Sequence, residues 1–319
     1  MSANTNLKKN NNNILQSVLV WFDTYQYKTT DSGEYLNKTI DWTRAIPFII
    51  LHAACLLVFF AGWSPIAVFT AVALYFIRMF AITAFYHRYF SHKAFKTGRK
   101  RQFIFALLGA TAVQRGALWW AAHHRVHHAT SDKDTDQHSP KRHGLLWSHM
   151  GWFLSRENFV TRHNNIKDFA KYPELRFLDR YDILVPVIFA ISLYLFGVIL
   201  ESYAPQLGTN GLQMLVWGFF ISTIVLYHGT FTINSLAHLI GKKVFPGNDD
   251  SRNNFWLALI TLGEGWHNNH HYYPGSARQG FIWWEIDITY YGLKLMEKMG
   301  LIWDLRAVPE RVLKKRKQK

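Results

Sequence analysis

Cysteine is all but absent: Cys55 stands alone, inside an apolar run. Disulfides, iron–sulfur clusters and thiolate-held zinc are therefore excluded as organising features. Acidic residues are also scarce, 21 Asp and Glu against 36 Lys and Arg, which leaves a formal charge of +15. Such a chain favours an anionic partner, and no nucleic-acid motif is present, so a lipid surface is the expected one and nucleic acid is not. The N-terminus, MSANTNLKKNNNN, lacks the apolar core and cleavage site of a signal peptide and reads as a disordered tail. What abounds is apolar, aromatic and imidazole side chains: 49% of residues are hydrophobic, 16% are aromatic, and 16 are His. The mean hydropathy of −0.06 is low for a protein wholly in lipid, so a membrane anchor carrying a large polar portion is expected.

Four runs are long and apolar enough to cross a bilayer, which takes roughly 20 helical residues: 45–62, 66–85, 183–200 and 212–233. They pair into two hairpins through GWSP and ESYAPQLGTNG, neither of which carries Lys or Arg. Seventeen Lys and Arg lie between Arg88 and Arg180, and more follow Lys242. The positive-inside rule then puts both termini and the central segment in the cytosol. One all-α unit, 1–319, is expected. It comprises a cytosolic N-terminal segment (1–44), a first transmembrane hairpin (45–85), a cytosolic cap (86–182), a second hairpin (183–233) and a C-terminal cap (234–319). A fifth apolar stretch, QFIFALLGATAVQRGALWW, is interrupted by Gln114 and Arg115 and reads as an interfacial helix, as does FIWWEIDITYYGLKLMEKMGLIWDL near the C-terminus. Arg78, inside the second run, is expected to snorkel toward the cytosolic face. The tail LKKRKQK reads as a solvated basic end drawn to anionic lipid.

Three histidine clusters fall on the cytosolic side of this arrangement: His87 and His92 in HRYFSH, His124, His127 and His128 in HHRVHH, and His267, His270 and His271 in HNNHH. Positions i, i+3 and i+4 share a helix face, so each His-x-x-His-His aims three imidazoles at one point. A lone histidine is usually structural. Two such boxes and a pair on one side of a membrane are a metal-site signature. Asn234 and His238, in FTINSLAHLIG, share a face beyond the fourth run; the Asn reads either as an interhelical hydrogen bond or as a direct or water-mediated metal contact. Nine imidazoles are too many for one ion and suit two, and imidazole alone does not choose among iron, copper, zinc and nickel. Carboxylates must fix the tautomers of such ligands; Glu264 and Asp132 are the candidates, with Asp134 and Asp136 behind them. His123 reads as a decoy or outer residue, His52 and His228 as packing groups, and His138, His143, His149 and His163 as structural.

The set HRYFSH, HHRVHH, GLLWSHMGW, NSLAHLIG and GEGWHNNHHYYP, in that order between about 48 and 305, resembles the stearoyl-CoA (delta-9 fatty-acyl) desaturase family. The resemblance implies a four-helix transmembrane stem under a cytosolic cap. It implies two iron ions held by His87, His92, His124, His127, His128, His238, His267, His270 and His271, with Asn234 reaching one iron through water. It also implies an integral protein of a bacterial inner membrane or the endoplasmic reticulum. The implied chemistry uses O2 and two electrons to place a cis double bond in a long saturated acyl chain. The substrate is acyl-CoA first and acyl-lipid second, and the electrons come from a separate donor such as cytochrome b5 or ferredoxin. One departure stands out: acyl-CoA members carry an Arg-Asp pair where this chain has Ala122 and His123, in WWAAHH. A substrate tunnel leading away from the metals into the membrane would end near Tyr75 and Ala71, roughly 18 and 24 Å along the helix from His87. Two other readings remain, a histidine-rich di-iron hydroxylase or monooxygenase, and a metal or proton transporter. A transporter needs ionisable groups through the membrane depth, which the runs here hold only sparsely.

Overall fold

A computed structural model describes residues 14–27 and 38–317; the Asn-rich tail and the last two residues lie outside them. The described residues are helical, with isolated β-bridges and no strands. Helix α1 (Ile14–Phe22) precedes the first span, α2 (Trp42–Ala61), and the other spans are α3 (Pro65–Ser91), α4 (Leu184–Tyr203) and α5 (Gly211–His238). The four expected crossings are therefore present, as four helices of 20, 27, 20 and 28 residues. Large apolar side chains such as Phe59, Phe60 and Phe69 face outward from them, which a lipid solvent permits and water does not. At the GWSP hairpin Gly62 takes φ +66, Ser64 caps the next helix through the amide of Ala67, and Pro65 fills its first turn. Inside the stem Ala67, Leu193, Met214 and Phe219 pack together. Gly197 lets α4 press on the start of α5, where an added Cβ would stand 2.5 Å from the Asn210 carbonyl.

Arg78 does not snorkel. It is 1% exposed, its guanidinium donating to the carbonyls of Leu74 and Thr111 and the hydroxyls of Thr223 and Ser222. In hydrocarbon an arginine must find acceptors. Here the neighbouring helix and the loop at Thr111 supply them closer than the interface does.

The cap rests on one end of the stem. The interrupted stretch forms two helices, α6 (Arg99–Ala110) and α7 (Ala117–Thr130), broken where Val113 and Arg115 adopt φ of 61 and 68. Both pack on the end of α3, along a core built on Phe85, Tyr86, Phe90, Phe105 and Leu118. The segment after α1 is pinned to the cap by Thr24 Oγ1 on the carbonyl of Asp179, and by Asp23 on Arg180 at 2.6 Å. Of the C-terminal amphipathic stretch only α8 (Ile288–Lys298) is helical. The residues before it form a loop around buried Glu285 and Asp287. The basic tail also departs from a solvated end. Its described part belongs to helix α9 (Glu310–Lys317), whose Val312 is buried and whose Arg316 pairs with Glu285 at 2.7 Å.

Candidate metal centre

His87 and His92 are five positions apart, a spacing that puts two side chains about 140° apart on an α-helix. The structure resolves this by changing the helix. From Ala81 to Ser91 α3 is π-helical, and the amide of His92 closes on the carbonyl of His87 at 3.2 Å, an i to i+5 bond. The wider π turn brings side chains five positions apart nearly onto one face, and such insertions recur at functional sites. HHRVHH lies on α7, and HNNHH forms a helix of its own, His267–Tyr272. His238 closes the end of α5.

The rings converge as two adjoining groups: His87, His92, His124, His128 and His270, and His127, His238, His267 and His271. His270 Nε2 lies 3.0 Å from His87 Nε2 and 2.9 Å from His128 Nε2. His92 and His124 meet through Nε2 at 2.8 Å, and His238 and His267 at 3.0 Å. Nitrogens bound at right angles on one metal, with bonds of about 2.1 Å, stand about 3.0 Å apart, so these spacings suit shared ions. His271 Nε2 is buried without a protein partner. Burial pushes His124, His128, His267 and His270 well below the ordinary imidazole value and His271 down to about 4. They are therefore neutral near pH 7, the form that binds metal.

Four carboxylates back the rings. Glu264 meets His87 Nδ1 at 2.5 Å, Asp132 meets His238 Nδ1 at 2.7 Å, Asp136 meets His127 Nδ1 at 3.1 Å and Asp249 meets His271 Nδ1 at 3.4 Å. Each contact holds a proton on Nδ1 and turns the Nε2 lone pair inward. For His87 and His238 that aims the lone pair at Nε2 of His270 and of His267, whose own Nδ1 atoms are buried without a hydrogen-bond partner. Burial would raise these carboxyls. The histidine contacts of Asp132, Asp136 and Asp249, and His87 with Arg88 beside Glu264, hold all four below the usual carboxylate range instead. Glu264, Asp132 and Asp136 are buried and Asp249 partly so, an arrangement of negative charge that suits divalent ions, since buried charge persists only when paired. The residues present fit two such ions.

The structure brings all nine histidines together, and Asn234 lies beside them, lining the same small cavity as His127 and His267. Glu264 and Asp132 stand in the outer contacts, and so does Asp136, while Asp134 is exposed on Arg142. His123 turns away, onto the Gln137 amide and the Val160 carbonyl. His143 bonds the carbonyl of Asp136, and His52, His228 and His149 form a hydrogen-bonded row outside the centre. Asp249 was not legible in the sequence: it is 22 positions from His271, with no motif linking the two. Arg88 was missed as well, though it sits beside His87. It is 1% exposed and clamps Glu264 at 3.1 Å and Asp287 at 2.9 Å.

Two cavities adjoin the rings. The larger, about 240 Å³, runs from Trp21, Arg44 and Ile183 inward to His124. The smaller, about 40 Å³, lies between the histidines and Met79, Ile82 and Thr261. Trp120, His124, Thr230 and Asn234 line both, so the two meet as arms of one path beside the metal groups. Ala71 and Tyr75 line neither. Tyr75 sits one helical turn beyond Met79, its hydroxyl donating to the Ile260 carbonyl at 2.7 Å, and Ala71 is one turn deeper.

Residues 61–294 match the model of the fatty acid desaturase family. The chain is 36% identical over 271 residues to the sn-2 palmitoyl-lipid 9-desaturase of Nostoc sp. (strain 36), covering 83% of this chain and 90% of that one. It is 35% identical to delta-9 acyl-lipid desaturase 1 of Arabidopsis thaliana, covering 86% of each. It is likewise 35% identical to the acyl-CoA 5-desaturase AL21 of Anemone leveillei, covering 88% of this chain and 86% of that one. Match and helical membrane architecture agree, and the transporter reading falls away: the chain belongs to the fatty acid desaturase family and is an oxidoreductase that acts on acyl chains.

Proposed function

We propose that the protein is an acyl-lipid 9-desaturase with two iron ions, held by the five-histidine group and by the four-histidine group completed through Asn234. The observation that carries this reading is the largely apolar path passing directly beside both histidine groups. Bound iron supplies the activation of O2, which takes up two electrons and two protons with two substrate hydrogens and leaves as two waters, turning a CH2–CH2 pair into CH=CH. The chain's own residues do the rest. Phe48, Trp120, Phe231 and their neighbours hold the acyl chain and keep water from it. The four carboxylates hold the imidazoles in their ligating tautomer.

The choice of lipid over acyl-CoA rests on the head-group end. Ala122 and His123 are 0% and 2% exposed, taken up by the core rather than offered to a charged carrier. At the outer end of the larger cavity Arg44 and Arg115 flank Phe159, 4.3 and 4.0 Å from its ring, among the cytosolic ends of α1, α2 and α4. The helical residues from Ala117 to His124 rise roughly 10 Å, comparable to the extended carboxyl-to-C9 half of an acyl chain. Two of the relatives above carry the same specificity in their names. A separate electron donor, cytochrome b5 or ferredoxin, meets the basic face, which the charge asymmetry of the loops puts in the cytosol with both termini.

Expression in a desaturase-deficient host should yield cis-9 monoenes by mass spectrometry. Purified protein should turn over lipid-bound chains at least about tenfold faster than acyl-CoA, a difference of ~1.4 kcal/mol. Hydroxylated product would replace this reading with the monooxygenase one, and faster acyl-CoA turnover would overturn the carrier.

We assign chain length to Tyr75, which stands behind the Met79 wall of the smaller cavity, one turn deeper on α3. Tyr75→Ala should move the product profile toward longer chains at unchanged iron content. Ala71→Leu should reverse that shift in the Tyr75→Ala background, because a packed wall does not absorb the added bulk. A profile unmoved by Tyr75→Ala would put the end of the tunnel elsewhere.

A further inference from the structure

Outside the tunnel, α1 and the start of α4 form the walls of an open groove of about 950 Å³, lined by Leu19, Phe22, Phe177, Leu184 and Val187. Helix α1 divides two spaces. Its Trp21 lines the inner cavity, whereas Leu19 and Phe22 line the groove. Ile183 lines both, so the groove and the outer end of the tunnel adjoin at one side chain. The divider is not loosely attached. Asp23 pairs with Arg180, Thr24 Oγ1 donates to the carbonyls of Asp179 and Arg180, and the Tyr25 hydroxyl donates to Asp179 at 3.2 Å. At the polar end of the groove Gln26 donates to Asp23.

We propose that this groove holds the second, non-reacting acyl chain of a diacyl glycerolipid whose other chain enters the tunnel. The inference rests on the acyl-lipid reading above and deepens it from a lipid-bound chain to a two-chained lipid. Two apolar channels that meet at one residue and are separated by one anchored helix match a molecule whose two chains part at a single glycerol. A single-chain thioester has no use for the second channel. The groove adds no hydrophobic driving force, because the bilayer is as apolar as its walls. Its contribution is orientation: seating one chain fixes which way the other points, and so shortens the search for the tunnel.

The test fills the groove. Val187→Trp and Leu184→Trp, made separately, add bulk at positions 44% and 40% exposed, where no packed core resists it. Dipalmitoyl phosphatidylcholine, the lyso lipid with one palmitoyl chain, and stearoyl-CoA are compared as substrates of the full-length, iron-loaded protein in nanodiscs. The expected result is a fall of about tenfold in kcat/KM for the diacyl lipid, equivalent to ~1.4 kcal/mol, with the lyso lipid changed by less than about twofold. Parallel losses on both lipids, or none, overturn the groove while leaving the carrier reading intact. Wild-type protein that turns over only stearoyl-CoA overturns the carrier reading and the groove with it. Should the tryptophan variants fail to fold, the wild type answers the question with a diacyl lipid bearing a diazirine at the end of its non-reacting chain. Crosslinks concentrated on α1 and the first turns of α4 support the groove, and crosslinks spread evenly over the lipid-facing helices overturn it.

Discussion

His270→Ala protein is expected to lose desaturase activity completely and to retain roughly half of the wild-type iron, as the proposed two-ion centre requires. His270 Nε2 faces two other ring nitrogens of the five-histidine group at 3.0 and 2.9 Å, so its removal opens that group from two directions. His127→Ala should act likewise on the other group. No neighbouring side chain replaces either ring, because burial already commits the surrounding imidazoles to their own positions. His143→Ala is the control: that ring bonds only the carbonyl of Asp136 at 2.7 Å, and its loss should cost about 1 kcal/mol of loop stability while the metal stays. Iron quantified per folded chain, alongside product formation, separates these outcomes. Full activity in His270→Ala protein would remove the two-ion assignment.

The convergence of the histidines was readable because their helical spacings put several rings on one face, and the spans because lipid imposes a length and a composition. The pair His87 and His92 was readable only as a pair. Nothing in HRYFSH says that the helix must widen to bring both rings to one side, and the π-helical turn that does so is a property of packing against α6 and α7. Asp132 stood close enough to its box to be suspected. Asp249 did not, since its partner His271 is brought to it by the turn between α5 and the last box. Arg78 was misjudged for a related reason: snorkelling is the default for one helix in lipid, and a bundle offers hydroxyls and carbonyls that a single helix lacks. The arrangement of α1 between tunnel and groove was likewise not legible, because it depends on contacts with residues 179 and 180, more than 150 positions away.

Glu264→Gln is expected to lower iron affinity by about 10- to 100-fold without unfolding the protein, and its contrast with Arg88→Ala identifies what Glu264 does. Glu264 accepts from Gln279 and Arg88 and meets His87 Nδ1 at 2.5 Å. Glutamine keeps the shape and one acceptor but removes the charge that makes the His87 imidazole a strong donor to the metal. Arg88 keeps Asp287 as its counter-ion at 2.9 Å, so no buried cation is stranded and the melting temperature should move little. Arg88→Ala does the reverse. It strands Glu264 and Asp287 together in the interior, and breaking a buried pair from one side costs about 3–5 kcal/mol, which should appear as poor yield and early melting. Added Fe(II) should therefore restore much of the activity of Glu264→Gln protein, through mass action on a weakened site, and little of that of Arg88→Ala protein. A Glu264→Gln enzyme with unchanged iron affinity and lowered stability would make Glu264 a partner of Arg88 alone, with no part in holding the metal.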